Sequence, residues 1–156
     1  MDVFYAKIVN TGMEALIAGI IASIISQILK FIIDISINRR IDFRIFTTTG
    51  GMPSSHSAGV VALATTVGII SGFMSIMFAV AMGNALVVMY DAAGIRRASG
   101  KMAVSLNKIM DDFYNHDSNL IGTRLKELLG HTPKQVFCGA VLGVGFSFFF
   151  HYVILL

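Results

Sequence analysis

The chain is constrained above all by four long apolar blocks, at residues 13–33, 56–70, 74–90 and 133–156. An α-helix needs roughly 20 apolar residues to cross a bilayer, so the first and last blocks are long enough and the middle two are somewhat short. Hydrophobic residues make up 55% of the chain and charged residues 13%, which excludes an ordinary soluble domain. We predict an all-α integral membrane bundle of about four transmembrane helices, forming a single domain over residues 1–156.

The polar segments between the blocks carry nearly all of the positive charge. Residues 101–130 have apolar side chains at helical spacing, and we expect two amphipathic interfacial helices there, divided near residues 115–119. Lysines and arginines collect in residues 34–55, in residues 91–132 and at the end of the first span, which the order of the spans brings to one end of the bundle. By the positive-inside rule this basic end faces the cytoplasm, and we expect a bacterial plasma membrane protein with no nucleic-acid partner.

Two histidines stand where membrane helices are expected to begin. His56 follows the turn-prone run Gly50-Gly51-Met52-Pro53-Ser54-Ser55, whose serines are N-cap candidates, so it falls in the first turn of the second span. His131 directly precedes Thr132-Pro133-Lys134-Gln135, a capping-box sequence that opens the last span. Unpaired N–H groups and the helix dipole make a helix N-terminus an anion site. The pair therefore indicates phosphate chemistry at the basic end.

A polar stripe on the first span leads towards the same end. Ser23, Ser26, Gln27 and Lys30 recur at intervals that put them on one helix face. Polar groups at membrane depth face a protein interior or a water-filled cavity, which favours a site role for Lys30. The alternative is that Lys30 extends from near the helix end to the headgroups.

Two histidines can divide a phosphoryl transfer between them. One attacks phosphorus as a neutral nucleophile, and the other gives its proton to the leaving oxygen, while fixed cations stabilise the phosphoryl oxygens. The nucleophile needs a partner for its second ring nitrogen, and Asp91, at the basic end of the third span, is a candidate. The chain has no carboxylate cluster or His-x-x-x-His spacing, so we expect neither a catalytic metal nor a cofactor.

The motifs around these residues carry a family resemblance. Pro53-Ser54-Ser55-His56-Ser57-Ala58 resembles the second signature of the type-2 phosphatidic acid phosphatase superfamily, which includes the vanadium haloperoxidases. The chain resembles more closely its small divergent branch, the acid phosphatase/vanadium-dependent haloperoxidase-related proteins. That similarity lies in the segments Gly50–Ala58, Tyr90–Arg97, Leu106–Asn107 and Leu129–Pro133. It covers nearly the whole chain, and it implies a membrane-embedded phosphatase with a histidine nucleophile.

The resemblance also assigns roles to individual residues. Lys30 matches the phosphate-binding lysine of the first signature, and Ser55 or Ser54 matches the serine of the second. His56 matches the general acid and His131 the nucleophile. We therefore expect His131, His56 and Asp91 to be catalytic. The expected phosphate-binding residues are Lys30, Arg40, Arg44, Gly51, Ser54, Ser55, Arg96, Arg97 and Arg124.

The sequence departs from the superfamily pattern at two positions near the nucleophile. The third-signature arginine would fall on Leu125, which Arg124 and Lys126 flank, and the aspartate that orients the nucleophile falls on Gln135. A glutamine can accept a hydrogen bond from imidazole, but it cannot stabilise imidazolium as a carboxylate does. Either Asp91 has taken that role, or the activity is weak or absent.

Two functions from different classes follow from these residues. The first is a metal-independent phosphatase that hydrolyses a phosphomonoester or pyrophosphate of a lipid through a phosphohistidine intermediate. The second is a membrane protein or carrier that binds phosphate or anionic lipid without turnover, as the glutamine at position 135 would favour. A transporter subunit is a third interpretation, although no internal inverted repeat is evident. Because four helices enclose little space, we also expect a homo-oligomer, such as a dimer, among the membrane lipids.

Overall fold

The computed structural model of the chain describes residues 8–39, 51–114, 125 and 130–156. Those residues form five α-helices, of which the last continues into a π-helical end at Phe150–Leu155. In chain order the helices are α1 (Gly12–Asn38), α2 (Ser55–Ser71), α3 (Ile76–Ala93), α4 (Ile95–Tyr114) and α5 (Pro133–Phe149). The described part of the chain contains no strand, and the all-α prediction is confirmed.

The helices have the length and apolar surface of a membrane bundle. Three stretches, Gly12–Asn38, Ile76–Asp111 and Pro133–Leu155, are long and apolar enough to cross a membrane, and α2 is a shorter apolar helix of 17 residues. Large apolar side chains on their outer surfaces are exposed, among them Ile20 and Ile24 on α1. Apolar residues that face outwards on long helices are typical of contact with lipid. The chain is therefore a membrane helical bundle of about four spans, as predicted.

Helix α2 lies in the middle of the bundle, where it contacts α1, α3 and α5. The contacts are close because the facing residues are small. A Cβ atom placed on Gly19 would lie 3.0 Å from the Gly59 carbonyl oxygen, and one on Gly143 would lie 2.9 Å from the Ala62 nitrogen. Without a hydrophobic driving force inside lipid, such close van der Waals packing is what holds membrane helices together.

Capping residues set the helix starts. Ser54 caps α2 by accepting from the Ser57 backbone N–H, and Ser75 caps α3 by accepting from Phe78. Thr132 and Gln135 form a complete capping box at α5, with Pro133 in the first turn. Because these signals are local, the predicted start of α5 at Pro133 is confirmed, and α2 begins one residue before the predicted His56.

The amphipathic segment is only partly within the described residues. Its first helix, α4, begins at Ile95, earlier than the predicted Lys101, because Gly94 ends α3 and the chain turns directly into the next helix. The second predicted amphipathic helix lies outside the described residues.

The two ends of the bundle differ in charge. Helices α1 and α3 run antiparallel to α2 and α5. The start of α2, the end of α3 and the start of α5 therefore lie together at the basic end. The other end holds a buried pair, in which the His151 Nδ1 and Glu14 Oε1 atoms are 2.6 Å apart. Glu14 also accepts from the Asn10 backbone N–H. His151 thus joins α1 to the end of the last span and is remote from the basic end.

Candidate active site

The structure brings His56 and His131 together at the basic end. His56 is the second residue of α2, and His131 lies just before the capping residue of α5. The Ser54 backbone N–H donates to the Gln135 carbonyl over 3.0 Å, which ties the two helix starts to each other. The ring centroids of the two histidines are 6.1 Å apart, with the rings inclined at 60°. Two helix N-termini therefore present two imidazoles to one place.

His131 is the more deeply enclosed of the two. Its residue surface is 2% exposed, and neither ring nitrogen makes a hydrogen bond of regular geometry within the described part of the chain. Burial, the Lys30 ammonium and the nearby His56 ring lower the pKa of His131, although the Gln135 side chain and the Gly51 backbone act in the opposite direction. The neutral imidazole is therefore favoured at neutral pH, and that is the form that can act as a nucleophile.

Backbone contacts hold His131 in position. Its N–H donates to the Ala92 carbonyl at the end of α3 over 3.1 Å. The preceding Gly130 packs so closely on the first turn of α4 that a Cβ atom would lie 2.8 Å from the Arg97 Cα atom. A residue with a side chain could not make this approach. Gly130 was not among the site residues predicted from the sequence, although it lies beside His131 and within the similar segment Leu129–Pro133.

The stripe on α1 anchors the loop that precedes α2. Ser23 Oγ donates to the Ser55 carbonyl over 3.0 Å, and Ser26 Oγ donates to the Pro53 carbonyl over 3.1 Å. The expectation that this polar stripe faces the protein interior is confirmed. These hydrogen bonds bring the 51–55 loop onto the end of α1 where Lys30 lies.

Lys30 is buried against this loop, with 3% of its surface exposed. Gly51 has a φ of 78°, and a Cβ atom there would lie 3.0 Å from both the Cγ and Cδ atoms of Lys30. The aliphatic part of Lys30 thus packs directly on the Gly51 backbone. The Lys30 ammonium also lowers the pKa of His131, so its positive charge acts on the histidine site.

The two serines of the loop have different environments. Ser54 is fully buried, and its Oγ accepts from both the backbone N–H and the hydroxyl of Ser57. Its hydroxyl is therefore engaged in capping α2. Ser55 is half-buried and lines the groove beside His56. Phosphate binding by Ser54 or Ser55 stays a prediction, and the environments favour Ser55.

Asp91 is paired with an arginine. Its Oδ2 atom accepts from Arg96 Nε over 2.6 Å, and both side chains are partly exposed. No hydrogen bond joins Asp91 to His131 in this structure, and the carboxylate is not among the groups that change the pKa of His131, whereas the Gln135 side chain raises it. The orienting role of Asp91 stays a prediction, as does phosphate binding by Arg96 and by the half-buried Arg97. Arg40, Arg44 and Arg124 lie outside the described residues.

An open groove runs from His56 to the outer surface of the bundle. It has a volume of about 470 Å³ and lies between α1 and α2, where it is lined by Ser23, Ile24, Gln27, Ile28, Ser55 and His56. Ile24 and Ile28 belong to the apolar outer surface of α1. The groove therefore has a polar end at His56 and an apolar side towards lipid. Residues 8–39, 51–111 and 130–156 include no group of three acidic, histidine or cysteine side chains that could hold a metal ion.

Comparison with known proteins agrees with these features. The chain is 41% identical over 118 residues to a protein of Bacillus subtilis (strain 168) that carries the name "Uncharacterized membrane protein YuiD". The alignment covers 69% of this chain and 75% of that protein. No solved structure matches the chain. A model of the Divergent PAP2 family matches residues 11–146, which include the histidine pair, Lys30 and the groove. The chain belongs to the Divergent PAP2 family.

Proposed function

We propose that this membrane protein is a phosphatase that acts on a phosphomonoester or pyrophosphate of a lipid, with His131 as nucleophile and His56 as general acid. The observation that carries the proposal is the environment of His131. It is a buried imidazole whose ring nitrogens make no hydrogen bond of regular geometry within the described residues, 6.1 Å from a second imidazole and at the start of a helix. A buried polar group without a full set of hydrogen bonds is costly, and a catalytic or ligand-binding role is one recognised reason for keeping it.

The two histidines would share the steps of a two-stage hydrolysis. A neutral ring nitrogen of His131 attacks phosphorus, the bond from phosphorus to the lipid oxygen breaks, and that oxygen takes a proton from His56. Water then attacks the phosphohistidine, His56 takes the proton of the water, and inorganic phosphate leaves. His131 returns to its neutral form and His56 to its protonated form, so the cycle closes without a metal.

Positive charge and backbone N–H groups would stabilise the transferred phosphoryl group. Lys30 is buried beside Gly51 and acts electrostatically on both histidines. The starts of α2 and α5 add the positive ends of two helix dipoles. Charge fixed in a site of low dielectric stabilises a developing phosphoryl charge without reorganisation. Lys30, Gly51 and Ser55 are therefore the phosphate ligands we propose first, with Arg96 and Arg97 at the rim.

The groove between α1 and α2 supports a lipid as substrate. Its apolar side, at Ile24 and Ile28, continues the outer surface of the bundle, while its polar end is at His56. A head-group phosphate could reach the histidines while the tails of the lipid stay in the bilayer. Arg39 at the end of α1, Arg96 and Arg97 at the start of α4 and Lys134 at the start of α5 lie at this end, which supports a site on the cytoplasmic side of a bacterial plasma membrane.

A second candidate function is binding of phosphate or anionic lipid without hydrolysis. It is favoured by Gln135, which stands where the wider superfamily has a carboxylate, and by Asp91, which is engaged with Arg96. Without a carboxylate, the imidazolium form of His131 is less stabilised when the phosphohistidine forms and breaks. This alternative keeps the same pocket and differs only in turnover.

The test is phosphate release from phosphatidate and isoprenoid phosphates by the purified protein in lipid nanodiscs. We expect His56→Ala and His131→Ala each to lower the rate by at least about 100-fold, the usual contribution of a positioned acid or nucleophile. Lys108→Ala, an exposed cation on α4, is the matched control and should retain full activity. Activity should also persist in EDTA. Full activity in both histidine variants would refute the phosphatase, and phosphate or vanadate binding without hydrolysis by the unaltered protein would favour the second function.

A further inference from the structure

Helix α3 has an exposed face with the spacing of a helix–helix interface. Met77, Val80, Asn84 and Val87 follow one another at intervals of three, four and three residues, and we refer to these four residues as the α3 seam. The apolar members are strongly exposed, with 68% of the surface of both Val80 and Val87 accessible. Alternating steps of three and four residues keep side chains on one narrow line, as at the seam of paired helices.

The opposite face of α3 already has its partner within the chain. Ala85 is fully buried in the core cluster formed with Val61 and Ala64 of α2, and Ala92 is 2% exposed. The α3 seam therefore points away from the bundle. In a monomer it would face the lipid.

Asn84 is the residue that distinguishes this face. It lies about 12 Å from the start of α3 and about 13 Å from its end at 1.5 Å per residue, and is therefore close to the middle of the span. Its side chain is exposed and makes no hydrogen bond to the part of the chain that the structure describes. Lipid tails offer no hydrogen bond, so an amide there is costly unless another protein surface pairs with it.

We propose that the α3 seam is the contact between two copies of this chain, with Asn84 paired to Asn84 of the partner subunit. Copies of one membrane protein insert in the same orientation, so a two-fold axis along the membrane normal brings the same residues of two parallel helices face to face. The asparagine amide carries both donors and an acceptor, which lets two identical side chains satisfy each other. A single asparagine in an otherwise apolar seam also sets the register of the pair.

The register would bring the interface close to the histidine site. One further step of four residues from Val87 along the same line reaches Asp91, which is paired with Arg96 beside the start of α4. The second copy would thus contact the bundle through α3. The end of this same helix holds His131, because the Ala92 carbonyl accepts from the His131 N–H. This inference does not depend on the phosphatase activity, because it rests on the exposed face of α3 alone.

Cysteine cross-linking in native membranes tests the interface directly. The native cysteine is first removed by Cys138→Ser, and single cysteines are then introduced by Val80→Cys or Val87→Cys. Ala79→Cys and Leu86→Cys are matched controls, because both residues are exposed on the other outward side of α3. We expect mild oxidation to give a covalent dimer with the two seam cysteines and little dimer with the controls. Equal cross-linking at all four positions would overturn the proposal.

Dimerisation measured by energy transfer in liposomes tests the role of Asn84. Replacing one hydrogen-bonding side chain between membrane helices typically weakens association roughly 3- to 20-fold, and we expect this loss for Asn84→Leu. Ala79→Leu, which adds a similar apolar side chain outside the seam, should leave the dissociation constant unchanged. The monomer fold is expected to survive both changes, because neither side chain lies in the core of the bundle. A monomeric unaltered protein, or an unchanged dissociation constant for Asn84→Leu, would overturn the proposal.

Discussion

The rings of His56 and His131 lie with their centroids 6.1 Å apart and their planes inclined at 60°. They reach this arrangement from the starts of two different helices, which the hydrogen bond from the Ser54 N–H to the Gln135 carbonyl holds together. Both helix dipoles therefore direct their positive ends to the place where the imidazoles meet. Such an arrangement disfavours a cation on His131 and favours an anionic ligand.

The pH dependence of the proposed reaction follows from the lowered pKa of His131. A histidine has an ordinary pKa of about 6.5, and burial followed by the Lys30 charge lowers that of His131. His131 should therefore remain neutral and nucleophilic until the pH falls below its ordinary pKa. We expect the acid limb of the kcat/KM profile in nanodiscs to lie below about pH 6.5. An acid limb above that value would contradict the assignment.

Lys30→Met removes one cause of the lowered pKa of His131. The pKa of His131 should rise, so the acid limb should move to higher pH, while kcat/KM falls by roughly 100-fold or more because the phosphoryl charge loses a fixed cation. The histidine titration can be followed by NMR with labelled histidine. Lys101→Met removes an exposed cation on α4 and should leave the titration in place. A His131 pKa that is equal in both variants would show that Lys30 does not act on the ring.

Gly51→Ala should lower activity as well as stability, because the new Cβ atom would both strain the backbone and press on Lys30. The φ of 78° costs a residue with a side chain roughly 1–2 kcal/mol, and the new Cβ would also press on the Lys30 Cγ and Cδ atoms. If the ammonium moves by about 1 Å, kcat/KM should fall by on the order of 100-fold.

Gly72→Ala is the matched control for Gly51→Ala. Gly72 has a φ of 88°, and a Cβ atom there would meet nothing within 4 Å. Both variants should lose similar thermal stability, whereas only Gly51→Ala should lose activity. Equal activity in the two variants would mean that the Lys30 contact with Gly51 has no role in the site.

Gln135→Glu adds a carboxylate at the position where the superfamily has one. Glutamate can keep the capping box at α5, in which Gln135 Oε1 accepts from the Thr132 N–H over 2.8 Å. The added negative charge should raise the pKa of His131, as NMR titration would show, and should increase turnover if a carboxylate is what the site lacks. Lys134→Ala changes the net charge by the same amount at an exposed neighbouring position. A similar pKa change in both variants would point to a general charge effect.

The groove between α1 and α2 predicts a dependence on the lipid tail. Ile28→Trp should obstruct the groove and raise KM for a long-chain lipid phosphate by roughly tenfold, the equivalent of about two lost methylene contacts. A short, water-soluble phosphomonoester should be little affected. Ile20→Trp places the same bulk on the lipid-facing surface of α1 outside the groove. It should leave KM unchanged for both the long-chain lipid phosphate and the short phosphomonoester. Equal effects on the long and short substrates would exclude the groove as the tail site.

Features that depend on a few neighbouring residues could be read from the sequence. Apolar blocks predicted the membrane helices, because a span requires a continuous run of residues that avoid water. The capping box at Thr132 and the turn before His56 predicted where α5 and α2 begin, because a cap is satisfied within one helical turn. The polar stripe on α1 predicted a buried face, since the positions of its residues follow from helical periodicity alone.

Contacts between side chains or backbone of different elements could be known only from the three-dimensional structure. Asp91 could be placed at the basic end from the order of the spans, but its pairing with Arg96 depends on how the chain turns at Gly94. The contact of Lys30 with Gly51, and the approach of Gly130 to the first turn of α4, depend on helix packing that leaves no periodic signal in the sequence. The sequence by itself therefore determined the helices and the end of the bundle at which the chemistry lies. The packing of α1, α2 and α5 decided which side chains meet there, because only glycines and other small residues let those helices approach so closely.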